Sequence, residues 1–441
     1  MAIPSLDRTG SGVKGAILGA GLGKRLDPLT AELLPKPLFP LGGKVPISEL
    51  WVRRFANSGL TDVSMNLCVL ADAIRRHFHG ESGLGGDMTF VQEETPTGTL
   101  GGVCKMVLGS EAKPLPCDTA LAGILPFAGS TVIIPSGDIV SEFGSDLLAE
   151  MYEIHRKSGA AVSMALTEIP WERRGDFGTV VLESAQPNPG QLSSWGKVVD
   201  FREKDPDSPS RLNNASIYMI EMDLLRALDP HRTEARVGLD TPLYDFGKHV
   251  FPAILGRIPY LRLPKDYTIT GLQFDGPWFD VGTKRDYLEV NKHVLDGVFG
   301  VSMPYQRTAW GYLGANVEID PSKVEIHGPV VIGNNCVVEP GAVLGPYAVI
   351  GDGWHIGKGA TVRNSVLWER YDCYPDWNTR VPASDRMSVD AHRINAGVLV
   401  ERSIVAGGLL SADTIDKTVD VRHDGRQIEL SIDYVPGGPR A

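Results

Sequence analysis

Seven aliphatic residues recur at every sixth position: Ile326, Ile332, Val338, Leu344, Ile350, Ile356 and Val362. Gly333, Glu339, Gly345, Gly351 and Gly357 each follow one of them. Few folds can use that period. A strand of a β-sandwich alternates at period two, because successive side chains point to opposite faces, and would not hold a strict six. A hexapeptide repeat winds short strands into a left-handed parallel β-helix, with each aliphatic residue pointing into a narrow triangular core. The repeat predicts such a helix over 317–367. It stops near Trp368, and the six-spacing resumes at Ile394, Val400 and Ala406. Residues 368–393, rich in aromatics, prolines and charges, read as a loop extruded from the helix. Residues 394–425 read as further coils and 426–441 as a C-terminal strand and tail. Strands within Val419–Val435 would cap the open end, and Pro436–Ala441 is expected to be disordered.

The chain's 441 residues exceed one typical domain, and its 42% hydrophobic content suffices for sizeable cores. From Val13 to about Asp296 strand and helix patterns alternate. Val13–Leu18 reads as a short buried strand. Ile47, Leu50, Trp51 and Phe55 recur at helical spacing, and Gly59 ends that helix. Strands follow at Asp62–Leu67, Met88–Gln92, Thr131–Pro135 and Ala161–Thr167, with helices at Ala71–Phe78 and Glu150–Lys157. The expected fold class is α/β: a Rossmann-like, mostly parallel sheet flanked by helices over 13–300, after a flexible N-terminus at 1–12. A linker at 301–316 leads to the β-helix. Ala112–Ala128 reads as an inserted loop. Ligands of such sheets lie beyond the carboxyl ends of the strands.

The net charge of −11 makes the chain a poor candidate for non-specific nucleic-acid or membrane-surface binding, so any phosphate-binding charge must be local. Met1–Gly12 lacks the apolar core of a secretory signal, and no apolar run is long enough to span a bilayer; a cytoplasmic location is expected. The five cysteines, Cys68, Cys104, Cys117, Cys336 and Cys373, are odd in number and widely spaced, and read as reduced and structural. No spacing of His, Cys and acids suggests zinc. His77 and His79 read as helix-end residues, and His327 and His355 as corner residues of the β-helix facing water.

Chemistry concentrates in Leu18-Gly19-Ala20-Gly21-Leu22-Gly23-Lys24-Arg25-Leu26-Asp27-Pro28-Leu29-Thr30, followed by Pro35-Lys36-Pro37. The glycines after the first strand let the backbone turn sharply and aim N–H groups at a polyanion. Lys24, Arg25 and Lys36 add positive charge. The third glycine stands one position too early for a dinucleotide fingerprint, and Arg25 stands where a Walker loop needs Ser or Thr. Proline fixes its own φ and restricts the residue before it, so Pro-Lys-Pro is expected to hold Lys36 in an extended segment.

With these residues the chain resembles the sugar-phosphate nucleotidylyltransferases, whose signature is Gly-x-Gly-x-Arg-Leu-x-Pro-Leu-Thr followed by Pro-Lys-Pro. Lys24 replaces a small hydroxyl residue of that signature, and four residues instead of three separate Thr30 from Pro35. The resemblance implies nucleotide contacts from Leu18, Gly19, Ala20, Gly21, Gly23 and Lys24, and catalytic roles for Arg25 and Lys36. Ser136-Gly137-Asp138 follows the apolar strand Val132–Ile134, and Trp278-Phe279-Asp280-Val281-Gly282-Thr283 contains a second aspartate after an apolar run. In the family, aspartates in these two contexts bind one catalytic Mg²⁺ together. Phe201-Arg202-Glu203-Lys204 matches the family's Phe-x-Glu-Lys element, implying that Lys204 contacts the sugar phosphate and Glu203 a sugar hydroxyl. Asn213-Asn214-Ala215-Ser216-Ile217-Tyr218 is similar to its Asn-Ala-Gly-Ile-Tyr strand, with Ser216 in place of glycine. Gly175-Asp176-Phe177-Gly178 is similar to its sugar-pocket segment. Asn214 and Gly178 thus complete the expected sugar wall.

Gln92-Glu93-Glu94-Thr95-Pro96-Thr97-Gly98-Thr99 resembles the family's base-recognition loop, with Gly98 and Thr99 beside the nucleotide. Glu93 stands three before Pro96, where the base is read. A carboxylate accepts two hydrogen bonds from N1–H and N2 of guanine, whereas adenine offers an acceptor at N1 and the pyrimidines flank one N–H with carbonyls. Glu94 or the backbone could read the base instead. The expected reaction moves a nucleotidyl group from GTP to a sugar 1-phosphate, with mannose 1-phosphate the expected acceptor, and releases pyrophosphate. Thymidylyl or adenylyl transfer to glucose 1-phosphate stays open. So does a non-catalytic nucleotide-sugar-binding subunit, although such relatives lose the arginine, the lysine or an aspartate. A bifunctional enzyme with acyl transfer in the β-helix is a third reading. A homo-oligomer is expected, because an exposed β-helix edge commonly packs against a partner.

Overall fold

Ala16 and Ile17 are fully buried in the strand Val13–Leu18, which lies between two parallel neighbours, Val63–Leu67 and Thr131–Pro135. A strand covered on both faces reads as a continuous apolar run, and this one does. The computed structural model describes residues 12–32, 34–81, 88–109, 130–187, 192–229, 245–258, 263–369, 392–421 and 427–434. The chain forms two compact units: Met1–Gly21 with Leu50–Trp278, and Leu22–Glu49 with Phe279–Ala441. A single boundary at 300, as read from the change of periodicity, is therefore not where the compact units divide. The inserted loop expected at 112–128 and the tail at 436–441 lie outside the described residues, as do Cys117 and Cys373; Cys68, Cys104 and Cys336 are in no disulfide.

The first unit is built on a ten-stranded sheet. Its order is Gln186–Pro187, Leu192–Glu203, Ile269–Phe274, Val162–Glu168, Leu212–Glu221, Thr131–Pro135, Val13–Leu18, Val63–Leu67 and Thr89–Gln92, with Gly178–Leu182 pairing with both Leu192–Glu203 and Leu212–Glu221. The sheet is parallel from Thr131–Pro135 to Thr89–Gln92 and between Val162–Glu168 and Ile269–Phe274. Leu212–Glu221 runs antiparallel to both its long neighbours, so the sheet is mixed. Alternation of helix and strand predicts only the parallel part; antiparallel strands need no helical crossover and leave no such trace. Gly98–Leu108 packs Leu100, Val103 and Val107 against Ala16, Val132 and Ile134 of the sheet. The helix Ser145–Ser158 begins earlier than its apolar spacing suggested and ends at Gly159, whose φ is 64°.

In the second unit the period-six residues do line a triangular β-helix. Ile332 pairs with Ile350 and Ile350 with Leu367 on one side. Val338 pairs with Ile356 and Ile356 with Ile394 on the next, and Leu344 with Val362 and Val362 with Val400 on the third. All of these are at most 4% exposed. The strict six slips on the first of these sides: Leu367 stands five residues after Val362, and Val405 five after Val400. The partner of Leu367 is Val405, one residue before the expected Ala406, because that side of the coil is one residue shorter. Trp368 and Glu369 are buried residues of the β-helix unit and do not belong to an extruded loop; residues 370–391 lie outside the described part. The final strand, Gln427–Ser431, folds back antiparallel on Lys417–Val421 and closes the stack.

Three rings fasten the early segment of this unit. Phe39 meets Trp368 and Tyr287 edge-on, with centroids 4.9 and 5.3 Å apart. The Tyr287 hydroxyl donates to the Pro40 carbonyl at 2.6 Å and accepts from the Trp368 indole N–H at 3.0 Å. Beside them Lys44 pairs with Asp352 at 3.2 Å and with Glu369. Tyr305 donates to the same Asp352 at 2.9 Å.

Candidate active site

The expected site residues fall in both units. In the first, the strand Val13–Leu18 hands over to the glycine turn at Leu18. The Gly137 amide donates to the Leu18 carbonyl at 2.8 Å, and a Cβ on Gly137 would lie 2.9 Å from that oxygen. This close approach, open only to glycine, sets Ser136-Gly137-Asp138 directly beside the end of the first strand. Asp138 is half-buried, and its Oδ1 accepts from the Ser136 hydroxyl at 2.5 Å.

Gly19 departs from the expected cradle. Its N–H donates to Asn66 Oδ1 at 2.8 Å, so this amide is already engaged by protein. Ala20 is buried, while Gly21 is exposed. Asn66 continues the chain of bonds: its Nδ2 donates to Glu93 Oε1 at 2.6 Å. Glu93 Oε2 accepts from the Thr97 amide at 2.8 Å and the Thr97 hydroxyl at 2.6 Å. Glu93 is 1% exposed. The carboxylate expected to read the base is thus turned inward, where it ties the base loop to Asn66. A carboxylate attracts the nearest donors, and Thr97 supplies two from within the same loop. Gly98, at φ 74°, and the half-buried Thr99 begin the helix that follows, and Thr99 Oγ1 accepts from the Phe246 amide at 2.8 Å.

The sugar-wall residues meet in the same unit. Glu203 pairs with Gly178 across adjacent strands, and a Cβ on Gly178 would lie 2.6 Å from the Phe201 ring and 3.0 Å from Glu203 Oε2. Gly247 approaches from a different segment: its Cβ would lie 2.5 Å from the same oxygen. Burial, and then the neighbouring Asp245, push the Glu203 carboxyl above its ordinary value, while Lys204 and Lys248 pull it down. Lys204 is exposed and held at φ 52°. Asn214 Nδ2 donates to the Tyr218 hydroxyl at 2.7 Å, and Asn214 Oδ1 accepts from the Ser216 amide at 3.1 Å. Ser216 has φ 57°, which is why a glycine suits this position. Asp245 and Gly247 were missed by the sequence reading. Their signal was an Asp N-cap before Phe246 and Phe251, which both turn into the core.

In the second unit, Gly23 has φ 62°, and Lys24–Leu26 forms a single 3₁₀ turn. The Thr30 hydroxyl reaches Asp27 Oδ1 at 2.8 Å and the Gly23 carbonyl at 3.0 Å, closing the loop on itself. Lys24 and Arg25 are exposed. The Arg25 guanidinium lies over Gly282: a Cβ there would be 2.8 Å from Nη2. Lys36 is not extended as expected but opens a 3₁₀ turn over Lys36–Leu38, with Pro35 as its cap. Pro37 is tolerated because the first amides of a helical turn have no internal acceptor to lose. The turn buries Lys36 and carries its Nζ to 3.3 Å from Asp280 Oδ1. Asp280 keeps 26% of its side chain exposed. After Gly282, Thr283 and Asp286 form a reciprocal capping box at the start of the helix Lys284–Leu295.

This donor chemistry fits magnesium. Among the described residues no three His, Cys, Asp or Glu converge, as a protein-only metal cage would require. Magnesium prefers hard oxygens and commonly takes one or two carboxylates, completing its shell with phosphate oxygens and water. Asp138, after the strand Thr131–Pro135, and Asp280, the last residue of the strand Trp278–Asp280, are both partly accessible carboxylates of that kind. No helix among the described residues is long and apolar enough to cross a membrane.

A family model described as nucleotidyl transferase matches residues 14–297. A UTP–glucose-1-phosphate uridylyltransferase of Synechocystis sp. is 27% identical over 364 residues, covering 81% of this chain and 83% of its own. A mannose-1-phosphate guanylyltransferase of Mycobacterium tuberculosis is 26% identical over 81% of this chain and 80% of its own. A probable mannose-1-phosphate guanylyltransferase 2 of Oryza sativa subsp. japonica is 24% identical over 91% of this chain and its own entire length.

Proposed function

The chain belongs to the nucleotidyl transferase family, and on that premise we propose that it transfers a nucleotidyl group from GTP to mannose 1-phosphate, releasing pyrophosphate. The observation that carries this reading is the meeting of Lys36 with Asp280, 244 residues apart in sequence, in the unit that also sets Arg25 against Gly282. Arg25, Lys36 and Asp280, three residues to which this reading gives a role, thus belong to one unit.

In the reaction a phosphate oxygen of the sugar 1-phosphate attacks the α-phosphorus. The new P–O bond forms as the bond to pyrophosphate breaks, and no covalent enzyme intermediate is needed. Catalysis is then positioning plus charge stabilisation. Lys36, buried and oriented by Asp280, neutralises the reacting phosphates. Arg25, exposed at the loop, neutralises the departing pyrophosphate, with Lys24 and the backbone at Leu18, Ala20, Gly21 and Gly23 binding the rest of the nucleotide. Asp138 and Asp280 would hold Mg²⁺, which supplies charge neutralisation on the phosphate oxygens. Glu203, between Gly178 and Gly247, accepts a sugar hydroxyl, and Lys204 and Asn214 complete the sugar-phosphate wall.

The choice of GTP and mannose rests on the relatives named mannose-1-phosphate guanylyltransferase and on the Gln92–Thr99 loop. The inward turn of Glu93 moves base contact to Gly98, Thr99 and the loop backbone unless the Thr97 bonds are exchanged for guanine. Retention of Arg25, Lys36, Asp138 and Asp280 argues against a non-catalytic subunit. Self-association belongs to the same reading and is measured by light scattering. The deciding assay is pyrophosphate release with Mg²⁺ across four NTPs and several sugar 1-phosphates. Highest turnover with GTP and mannose 1-phosphate is expected, and an outright preference for dTTP would sink the assignment.

A further inference from the structure

Lys284 and Arg285 stand in the first turn of the helix Lys284–Leu295, where the positive end of the helix dipole disfavours cations. Two consecutive basic residues there need an explanation. Lys284 is also 1% exposed, and a cation withdrawn from water requires acceptors. The last described residues of the chain supply them. Lys284 Nζ donates to the Tyr434 carbonyl at 2.6 Å and lies 5.7 Å from the centre of the Tyr434 ring. Arg285 grips Asp433 with two bonds, Nε to Oδ1 at 2.5 Å and Nη2 to Oδ2 at 2.6 Å. Ile432, 2% exposed, anchors this segment, and its amide donates to the Asp416 carbonyl at 2.8 Å. All of these residues lie in the second unit.

The docked turn is the one that carries the site. Lys284 follows directly on Asp280-Val281-Gly282-Thr283: Asp280 meets Lys36, and a Cβ on Gly282 would strike the Arg25 guanidinium. Burial lowers the Lys284 ammonium to about 8, against the pull of Asp27 and Asp433, so the lysine also faces the nucleotide-loop residue Asp27. We infer that residues 432–434 are a positioning latch: Asp433 and the Tyr434 carbonyl hold Lys284 and Arg285, and through them fix the Asp280–Gly282 turn against Lys36 and Arg25. The catalytic meaning of this latch rests on the nucleotidyl-transfer reading above. Without it, Lys284 loses the Tyr434 carbonyl and Arg285 loses its two-bond partner Asp433, keeping only a 3.9 Å contact with Asp416. The first helical turn then loosens together with the aspartate just before it.

The test compares kcat and KM for pyrophosphate release in the full chain, a chain ending at Ile432, Lys284→Met, the two combined, and Tyr434→Phe. Misplacement by a fraction of an ångström to an ångström costs up to roughly 100-fold, so the shortened chain and Lys284→Met should each lose about 10- to 100-fold in kcat. KM for the sugar 1-phosphate should stay unchanged, because its wall is in the other unit. The combined variant should lose no more than either alone. Tyr434→Phe should keep full activity, because the bond uses the backbone carbonyl. Lys284→Arg, which keeps the cation and the donor, should recover part of the loss. Unchanged kcat on shortening, or losses that multiply, would overturn the latch. Amide hydrogen exchange at 280–286 gives a readout without turnover: faster exchange in the shortened chain is expected, and unchanged exchange refutes the latch. An inactive full chain with faster exchange on shortening would defeat the enzymatic reading and leave the latch standing.

Discussion

Lys36 Nζ lies 3.3 Å from Asp280 Oδ1, an ion pair between a lysine 9% exposed and an aspartate 26% exposed. The pair gives the buried lysine a counter-charge from within the protein. On the proposed reading, polyanionic substrates compete with Asp280 for the ammonium. The same carboxylate is one of the two proposed for magnesium, so metal loading and release of Lys36 toward the phosphates are linked.

Asp138→Asn and Asp280→Asn should each reduce pyrophosphate release by about 100-fold or more, the scale on which removal of one charge-stabilising group acts in a preorganised site. Thermal unfolding should change little for Asp138→Asn, whose carboxylate is half-buried and accepts from Ser136. Full activity in either variant refutes the metal role.

Gly282→Ala would place a methyl group 2.8 Å from Arg25 Nη2. The guanidinium is the far end of an exposed, flexible side chain and can move aside, so the fold should tolerate the change. The arginine would then be displaced from its station. A rise in KM for the nucleotide, with KM for the sugar 1-phosphate unaltered, is the expected steady-state result.

Glu93→Gln separates two roles. If the side chain braces the loop, replacing one acceptor oxygen by a donor faces it toward Asn66 Nδ2 or the Thr97 donors and costs about 1–3 kcal/mol. KM should then rise for all four NTPs alike. A change in the ranking of the NTPs would instead assign Glu93 to base reading.

Lys44→Met removes the cation that pairs with both Asp352 and Glu369. Burial works to lower the Lys44 pKa, but the two carboxylates outweigh it and hold the lysine above its ordinary value. Lys44 keeps 33% of its side chain exposed, so solvent screening reduces the penalty below that of a fully buried pair. A loss of about 2 kcal/mol, measured by urea unfolding, is expected.

Glu203 gives a pH signature. Its carboxyl is raised in the fold by burial and then by Asp245. A raised carboxyl binds its proton more tightly folded than unfolded, so the folded state carries more protons once pH exceeds the ordinary value of 4.5. Stability from this group is therefore lost as pH rises from 4.5 through the folded pKa, the reverse of the usual carboxylate behaviour. Glu203→Gln should flatten that part of the stability–pH curve. An unchanged slope would show that Glu203 is solvated in the folded protein.

The period-six residues and the glycine turn are legible in the sequence. Each is a matter of spacing along the chain. Ile332, Ile350 and Leu367 stack because a hexapeptide coil brings them into register, and Gly137 sits beside Leu18 because only a glycine can. The slip from Ala406 to Val405 was not legible, since one residue fewer in a turn leaves the hydrophobic pattern almost intact. Nor was the fold-back strand Leu212–Glu221, whose apolar pattern carries no direction.

Local pattern thus settled most building blocks of this protein: which stretches coil, where the glycine turn falls and which chemical groups each segment offers. Tertiary packing alone decided where the charged groups point. Lys36 entered a 3₁₀ turn to reach Asp280, Glu93 turned inward to Asn66 and Thr97, and Lys284 found its acceptor 150 residues away at Tyr434. Burial of an apolar side chain needs only that it face the core, which periodicity encodes. A buried charge needs one particular partner at hydrogen-bond distance, and that partner comes from whatever distant segment the fold brings beside it.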